Sequence, residues 1–338
     1  MLVVGGPVGA DGHARADHPE RPARVAAAMA GVHDLALGDQ LRLVAPVDVD
    51  LATLALVHDR GYLEKLAASP PGQLDADTYL TPSSWEAARR AAGAGLAAVA
   101  ELERLGTGVA FVAARPPGHH ALADRGMGFC LVNNVAVAAA TLAARGERVL
   151  VVDWDVHHGN GTQAIFWNDP RVLYVSTHQW PLYPGTGRPQ EVGGAQAPGL
   201  TLNVPLPPGT TGDVVRRAYE ELAAPVVAGF GPTWVLVSAG FDGHRADPLA
   251  DFALSAGDFA ELARIVGHFA PAPGRVAVFL EGGYDLRALR GSVEATLGAL
   301  LGARCEPELP TSGGPGMDVI ETVREGYAES VDRVRALA

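Results

Sequence analysis

The chain has two cysteines, a single lysine and few aromatic residues, and each scarcity removes a class of answer. Cys130 and Cys305 lie far apart and form no metal-type spacing, which points to a reducing compartment. Lys65 is the sole lysine, arginine supplies the remaining positive charge, and the formal net charge is −12. Phosphate binding needs basic clusters that are absent here, so a nucleic-acid partner is not expected. The opening Met1-Leu2-Val3-Val4-Gly5-Gly6-Pro7 has neither a positive n-region nor a long apolar segment, and Gly, Pro or charge interrupts each later apolar run. Neither a signal peptide nor a membrane span is expected, and the protein reads as cytoplasmic. Aromatics make up only 6% against 48% hydrophobic residues, with alanine carrying much of the difference. That composition suits helices packed on a sheet.

Along the chain, short β-branched runs alternate with helical patterns. Strands are expected in the first residues and at 108–113, 149–152, 172–175, 201–204, 234–237 and 276–280, and helices at 23–32, in short pieces over 51–66, at 84–105, 133–145, around Ala164, and at 213–229, 258–269, 286–301 and 319–337. This alternation predicts an α/β fold built on one doubly wound, mostly parallel sheet flanked by helices. A Pro/Gly-rich linker at 307–316 separates the last helix from the rest. We therefore expect a catalytic domain over residues 1–304, with a linker and C-terminal helix (305–338) packed on the same domain.

The organising stretch is Val149 to Gln163. A buried apolar strand changes character within one residue and presents Asp153, Asp155 and His157 at alternate positions, which would share one strand face. Gly159 and Gly161 then allow a tight turn, and Asn160 or Thr162 could cap the next helix. Two closely spaced buried carboxylates repel unless protonated or neutralised by a cation, so a metal site is expected. Other strand ends carry polar groups as well: His119 and His120 after Arg115-Pro116-Pro117-Gly118, Ser176, Asp242, and Tyr284 after Glu281-Gly282-Gly283. Ends of parallel strands open on one side, so these groups can converge. Asp155, His157 and Asp242 make one imidazole and two carboxylates, leaving a fourth position for water as in a catalytic zinc site. Zinc would lower the pKa of that water towards about 7 and polarise a carbonyl, though the oxygen-rich set also admits Fe(II).

Six ordered motifs carry a resemblance: Arg115-Pro-Pro-Gly-His-His, Gly128-Phe-Cys-Leu-Val-Asn-Asn, Asp153-Trp-Asp-Val-His-His-Gly-Asn-Gly-Thr, Pro184-Gly-Thr-Gly, Ser238-Ala-Gly-Phe-Asp and Glu281-Gly-Gly-Tyr. From about His18 to Gly302 the chain resembles the zinc-dependent histone deacetylase family, in its bacterial, class II-like branch, with acetylpolyamine amidohydrolases and acetoin-utilisation proteins. The resemblance implies the arginase-deacetylase fold and hydrolysis of acetyl or other acyl groups from N-acetylated lysine or small acetylated amines. It implies zinc on Asp155, His157 and Asp242, tandem catalytic histidines His119 and His120 paired with Asp153 and Asn160, and Tyr284 as donor to the substrate carbonyl. It also implies an acyl-amine tunnel walled by Phe129 and Tyr183, with the Gly128 carbonyl near the amide N–H and Asp77 at the rim. A structural potassium would use Asp153, Ser176 and the main-chain oxygens of Asp155, His157 and Thr177.

A carboxylate partner favours the imidazolium, so His119 should have the higher pKa and His120 should be the readily neutral base and acid. Tunnel width should depend on Leu249 as well, and charge selection on the loops 74–81 and 243–247, where His244 and Arg245 put positive charge near the mouth. The alternatives are an acetylpolyamine-specific amidohydrolase, a binuclear ureohydrolase-like enzyme needing further carboxylates, and a non-catalytic acyl-ligand-binding module. A homo-oligomer is compatible with the sequence. Substrate identity, acyl preference and the choice between zinc and iron stay open at this level.

Overall fold

The computed structural model describes residues 1–8 and 12–337. The chain begins with β1 (Leu2–Gly5), α1 (Ala23–Asp34) and β2 (Leu41–Val44), then α2 (Leu51–Leu54) and α3 (Arg60–Ala68). A small hairpin of β3 (Gly72–Gln73) and β4 (Tyr79–Leu80) precedes α4 (Ser84–Leu105) and β5 (Val109–Val112). Next come α5 (Asn134–Ala143), β6 (Val149–Asp153), α6 (Asn160–Phe166), β7 (Val172–Gln179) and β8 (Thr201–Leu206). A helical stretch of α7 (Gly212–Ala218), a π turn and α8 (Ala224–Phe230) leads to β9 (Trp234–Ala239) and α9 (Ala256–Gly267). The chain ends with β10 (Val276–Leu280), α10 (Leu286–Leu301) and α11 (Met317–Leu337).

Eight strands form one parallel sheet in the order β2-β1-β5-β10-β9-β6-β7-β8. Strand alternation divides the core between its two faces. Val149 and Val151 of β6 pack with α4 and α5, while Leu150 and Val152 pack with α1, α7, α9 and α10. Because both faces are covered, the central strands β5, β6, β9 and β10 read as nearly continuous apolar runs. Leaving β5, the chain skips two positions to β6, runs outward to β8, and returns to insert β9 and β10 into the gap. The crevice at this switch in direction is where such sheets bind ligands. All five strands that carry site candidates, β5, β10, β9, β6 and β7, are contiguous there.

The fold corrects several local expectations. β6 stops at Asp153, so Asp153, Asp155 and His157 do not share a strand face. Past that point the backbone turns on its own side chains, with Asp155 N donating to Asp153 Oδ1 and His157 N to Asp155 Oδ1. Gly159, not Asn160 or Thr162, occupies the cap of α6, and no side chain bonds there. The Asn160 amide instead reaches His120 and the Thr162 hydroxyl meets Asn133. The edge strand β2 and the β3–β4 hairpin lie outside the expected set.

Candidate active site

At the carboxyl ends of the central strands, one ligand atom each from Asp155, His157 and Asp242 lies within 4.8 Å of the others. His157 Nδ1 is 3.2 Å from both Asp155 Oδ1 and Asp242 Oδ2. The two carboxylates are almost completely shielded from solvent, and their ion-pair partners among the described residues are histidines. Burial pulls the His157 pKa down, but hydrogen bonds to Asp155 and Asp242 outweigh it and raise the group to about 10. Burial and the Asp155 charge push the Asp242 carboxyl up. Two buried carboxylates and an imidazole this close favour a cation between them. Two glycines make room for it. A Cβ on Gly240 would lie 2.0 Å from Asp155 Oδ2, and one on Gly282 would lie 1.9 Å from Asp242 Oδ2. One nitrogen and two carboxylate donors are an acceptable set for a catalytic zinc, so the residues fit the group.

Beside this cluster, the rings of His119 and His120 lie with centroids 4.0 Å apart and planes tilted by 42°. His119 Nδ1 pairs with Asp153 Oδ2 at 3.1 Å, and the Tyr174 hydroxyl donates to the same oxygen at 3.0 Å. Burial opposes a charge on His119, yet Asp153 and Asp155 raise it to about 10. His120 Nδ1 donates to Asn160 Oδ1 at 2.8 Å, and burial together with the charges of His119 and His157 holds it well below the usual range. The two rings therefore differ in the expected direction. One sits against a carboxylate and the other against a neutral amide.

A cavity of about 220 Å³ runs down to these groups. Asp77, Gly128, Phe129, Tyr183 and Leu249 all line it, together with Tyr284. Phe129 holds a left-handed φ of 68°, and its ring stands edge-on to Tyr284 with centroids 5.8 Å apart. Tyr183 stands edge-on to His120 at 5.2 Å and remains 37% exposed at the mouth. Burial pushes the Tyr284 phenol well above its ordinary range, keeping it a neutral donor. Ser176, a register partner of Asp153 on β7, lies beneath the site. Its hydroxyl meets His178 Nδ1 at 2.9 Å, and that of Thr177 meets Tyr219 at 3.2 Å.

His244 and Arg245 do not charge this mouth. Both pair with Glu308, at 3.3 Å and 2.9 Å, and His244 lines a different cavity beside α10. The last residue of that loop, Asp247, is buried against the Tyr284 backbone.

Other residues support the site, and nothing in the sequence pointed to a role for them. Glu281 accepts from the backbone N–H groups of Gly118 (2.7 Å) and His119 (3.2 Å) and from Ser238, tying the end of β10 to the histidine loop. Arg24 lies 4.7 Å over the Tyr284 ring and donates to the carbonyls of Gly283 and Glu281. Glu20 holds Arg24 and, through two bonds of 2.7 Å and 2.5 Å, Arg115. These groups lie up to 259 residues apart in sequence, so periodicity could not link them.

Comparison with known proteins agrees with this geometry. Residues 18–300 match the histone deacetylase domain. The chain is 39% identical over 303 residues to a probable deacetylase of Archaeoglobus fulgidus, covering 86% of this chain and 84% of that one. It is 39% identical to the histone deacetylase-like amidohydrolase of Pseudomonas aeruginosa, covering 84% and 76%. It is also 37% identical to histone deacetylase 10, chloroplastic, of Oryza sativa, covering 96% and 78%. The crystal structure of the HDA15 HD domain superposes with a TM-score of 0.85 at 32% identity, covering 99% of this chain and 98% of that one. No helix among the described residues is long and apolar enough to cross a membrane. By domain match, relatives and fold together, this chain belongs to the histone deacetylase family and is a deacetylase.

Proposed function

We propose that the protein is a zinc-dependent amidohydrolase that releases acetate from acetylated lysine side chains or small acetylated amines. The observation that carries this reading is the buried Asp155–His157–Asp242 cluster at the floor of an apolar cavity. Zinc held by these three residues would supply Lewis acidity for the substrate carbonyl and an activated water as nucleophile. The cavity walls at Phe129, Tyr183 and Leu249 take the methylene chain, the Gly128 carbonyl accepts the amide N–H, and Asp77 meets the substrate at the rim. His120, held neutral, accepts the proton of the attacking water and returns it to the departing amine. His119 stays protonated against Asp153 and adds positive charge beside the developing oxyanion. Tyr284 donates its hydroxyl to that oxygen. A structural potassium is assigned to Asp153 and Ser176 with the main-chain oxygens of Asp155, His157 and Thr177. Residues 1–304 form the catalytic unit, with 305–338 packed on it.

The deciding experiment follows acetate release from an acetyl-lysine peptide, from acetylspermidine and from acetylputrescine, compared by kcat/KM. Each substrate is run before and after chelation and after zinc is restored. Turnover that chelator abolishes and zinc returns supports the proposal. No turnover of any acetylated amine by zinc-loaded protein defeats it.

A further inference from the structure

Asp247 stands between two loops that meet at the cavity, and each hydrogen bond of its carboxylate goes to main chain. Oδ2 accepts from Tyr284 N at 2.6 Å and from Asp285 N at 3.3 Å, while Oδ1 accepts from Leu249 N at 3.0 Å. Asp247 is 7% exposed. Burying a carboxylate is costly unless its lone pairs are satisfied, and here backbone N–H groups do that work. Asp285 caps α10, so the carboxylate also sits at the positive end of a 16-residue helix. The residue after Asp247 is Pro248, which has no N–H, so the next available donor is that of Leu249.

We propose that Asp247 is a positioning residue that locks the Tyr284 loop and the Leu249 wall to one another, fixing the phenol against the substrate carbonyl. This rests on the reading of Tyr284 as the carbonyl donor. The loop needs such a restraint because two glycines precede Tyr284, and Gly283 has a φ of 114° that only glycine adopts readily. Arg24 and Phe129 contact the ring, but neither bonds to the Tyr284 backbone N–H. A displacement of about 1 Å at a reacting group can cost about a hundredfold in rate. The residue must be a carboxylate, since both oxygens accept at once. An asparagine would keep one oxygen as acceptor and turn an N–H₂ toward a backbone N–H.

The test is a double-mutant cycle on zinc-loaded enzyme with an acetyl-lysine peptide, with zinc content and melting temperature recorded for each protein. Asp247→Ala should lower kcat by about ten- to a hundredfold. In the Tyr284→Phe background the same change should cost less than about threefold, because the group being positioned is gone. Asp247→Asn, which can keep one arm of the brace, should fall between wild type and Ala, and it carries the cycle if Asp247→Ala is too unstable to purify. Losses that multiply in the double variant overturn the proposal, as does a kcat loss below about threefold in Asp247→Ala. Failure of the hydrolase reading is distinguishable, since the wild-type enzyme would then release no acetate.

Discussion

Replacing Tyr284 with Phe removes one hydroxyl and leaves the ring under Arg24 and against Phe129. If that hydroxyl donates to the forming oxyanion, its loss should cost about 3 kcal/mol, a fall in turnover of about a hundredfold or more. Zinc content should be unchanged, since the phenol is outside the Asp155–His157–Asp242 cluster. An unchanged rate on an acetyl-lysine peptide would remove Tyr284 from the mechanism. Glu20 supports a different prediction, about stability. Burial pushes its carboxyl up, but the Arg115 hydrogen bond and the charges of Arg115 and Arg24 prevail and hold it below the ordinary range. A carboxyl whose folded pKa is depressed adds stability above its unfolded pKa, about 4.3, and loses it as pH falls through the folded value. Glu20→Gln should therefore lower the unfolding free energy at pH 7 by about 3 kcal/mol, because two buried guanidinium groups lose their counter-charge. Denaturant melts should show the gap between variant and wild type narrowing below about pH 4.3. A gap that stays constant down to pH 3 would mean that Glu20 acts through packing alone.

Among the elements, α11 is the one whose role is least tied to chemistry. It packs on β8 and α7, and its Ile320 and Val323 are buried in the same core cluster as Val204 and Val214. The Tyr327 hydroxyl fastens it to the Gly199 carbonyl at 2.7 Å. Ile320→Ala should lower stability by about 2–5 kcal/mol by opening a cavity. The kcat/KM of the folded variant at 25 °C should stay at the wild-type value, and a selective loss of activity would tie α11 to the site. The same element shows what was legible in sequence. Its apolar spacing marked a helix, as did the 286–301 pattern that became α10 without a shift at either end. Four-residue β2 has no such periodicity, and with Arg42 and Leu43 at the sheet edge it does not read as a buried strand. Motif residues at the ends of different strands could be gathered from the rule that parallel strands open on one side. The supports behind them could not. Glu281, Arg24 and Asp247 act through backbone groups hundreds or tens of residues away, and only the folded chain brings those together. Turns also escaped the strand rule: period-two reading carried β6 four residues too far, because the Asp155 and His157 N–H groups leave the ladder for nearby carboxylates.

At the scale of the whole molecule, the Asp155–His157–Asp242 cluster joins elements that are adjacent in the sheet but distant in the chain. Asp155 and His157 follow β6, Asp242 follows β9, and these strands pair directly. Gly282 N, after β10, donates to Asp155 Oδ2 at 2.8 Å, adding a third strand to the same centre. A ligand that binds here binds the folded sheet and not the unfolded chain, so it must stabilise the entire cooperative unit by mass action. At a free zinc concentration a hundred times its dissociation constant, the gain is about 2.7 kcal/mol. Chelator-treated protein should thus melt at a lower temperature, and added zinc should restore the midpoint in a concentration-dependent way. The net charge of −12 means that any divalent ion will associate weakly with the surface, so the control has to isolate the cluster. Asp242→Asn removes one donor without changing side-chain size, and its midpoint should no longer respond to zinc at concentrations that saturate the wild type. A zinc response of equal size in that variant would place the bound metal elsewhere, and the buried carboxylates would then have to be explained by shared protons alone.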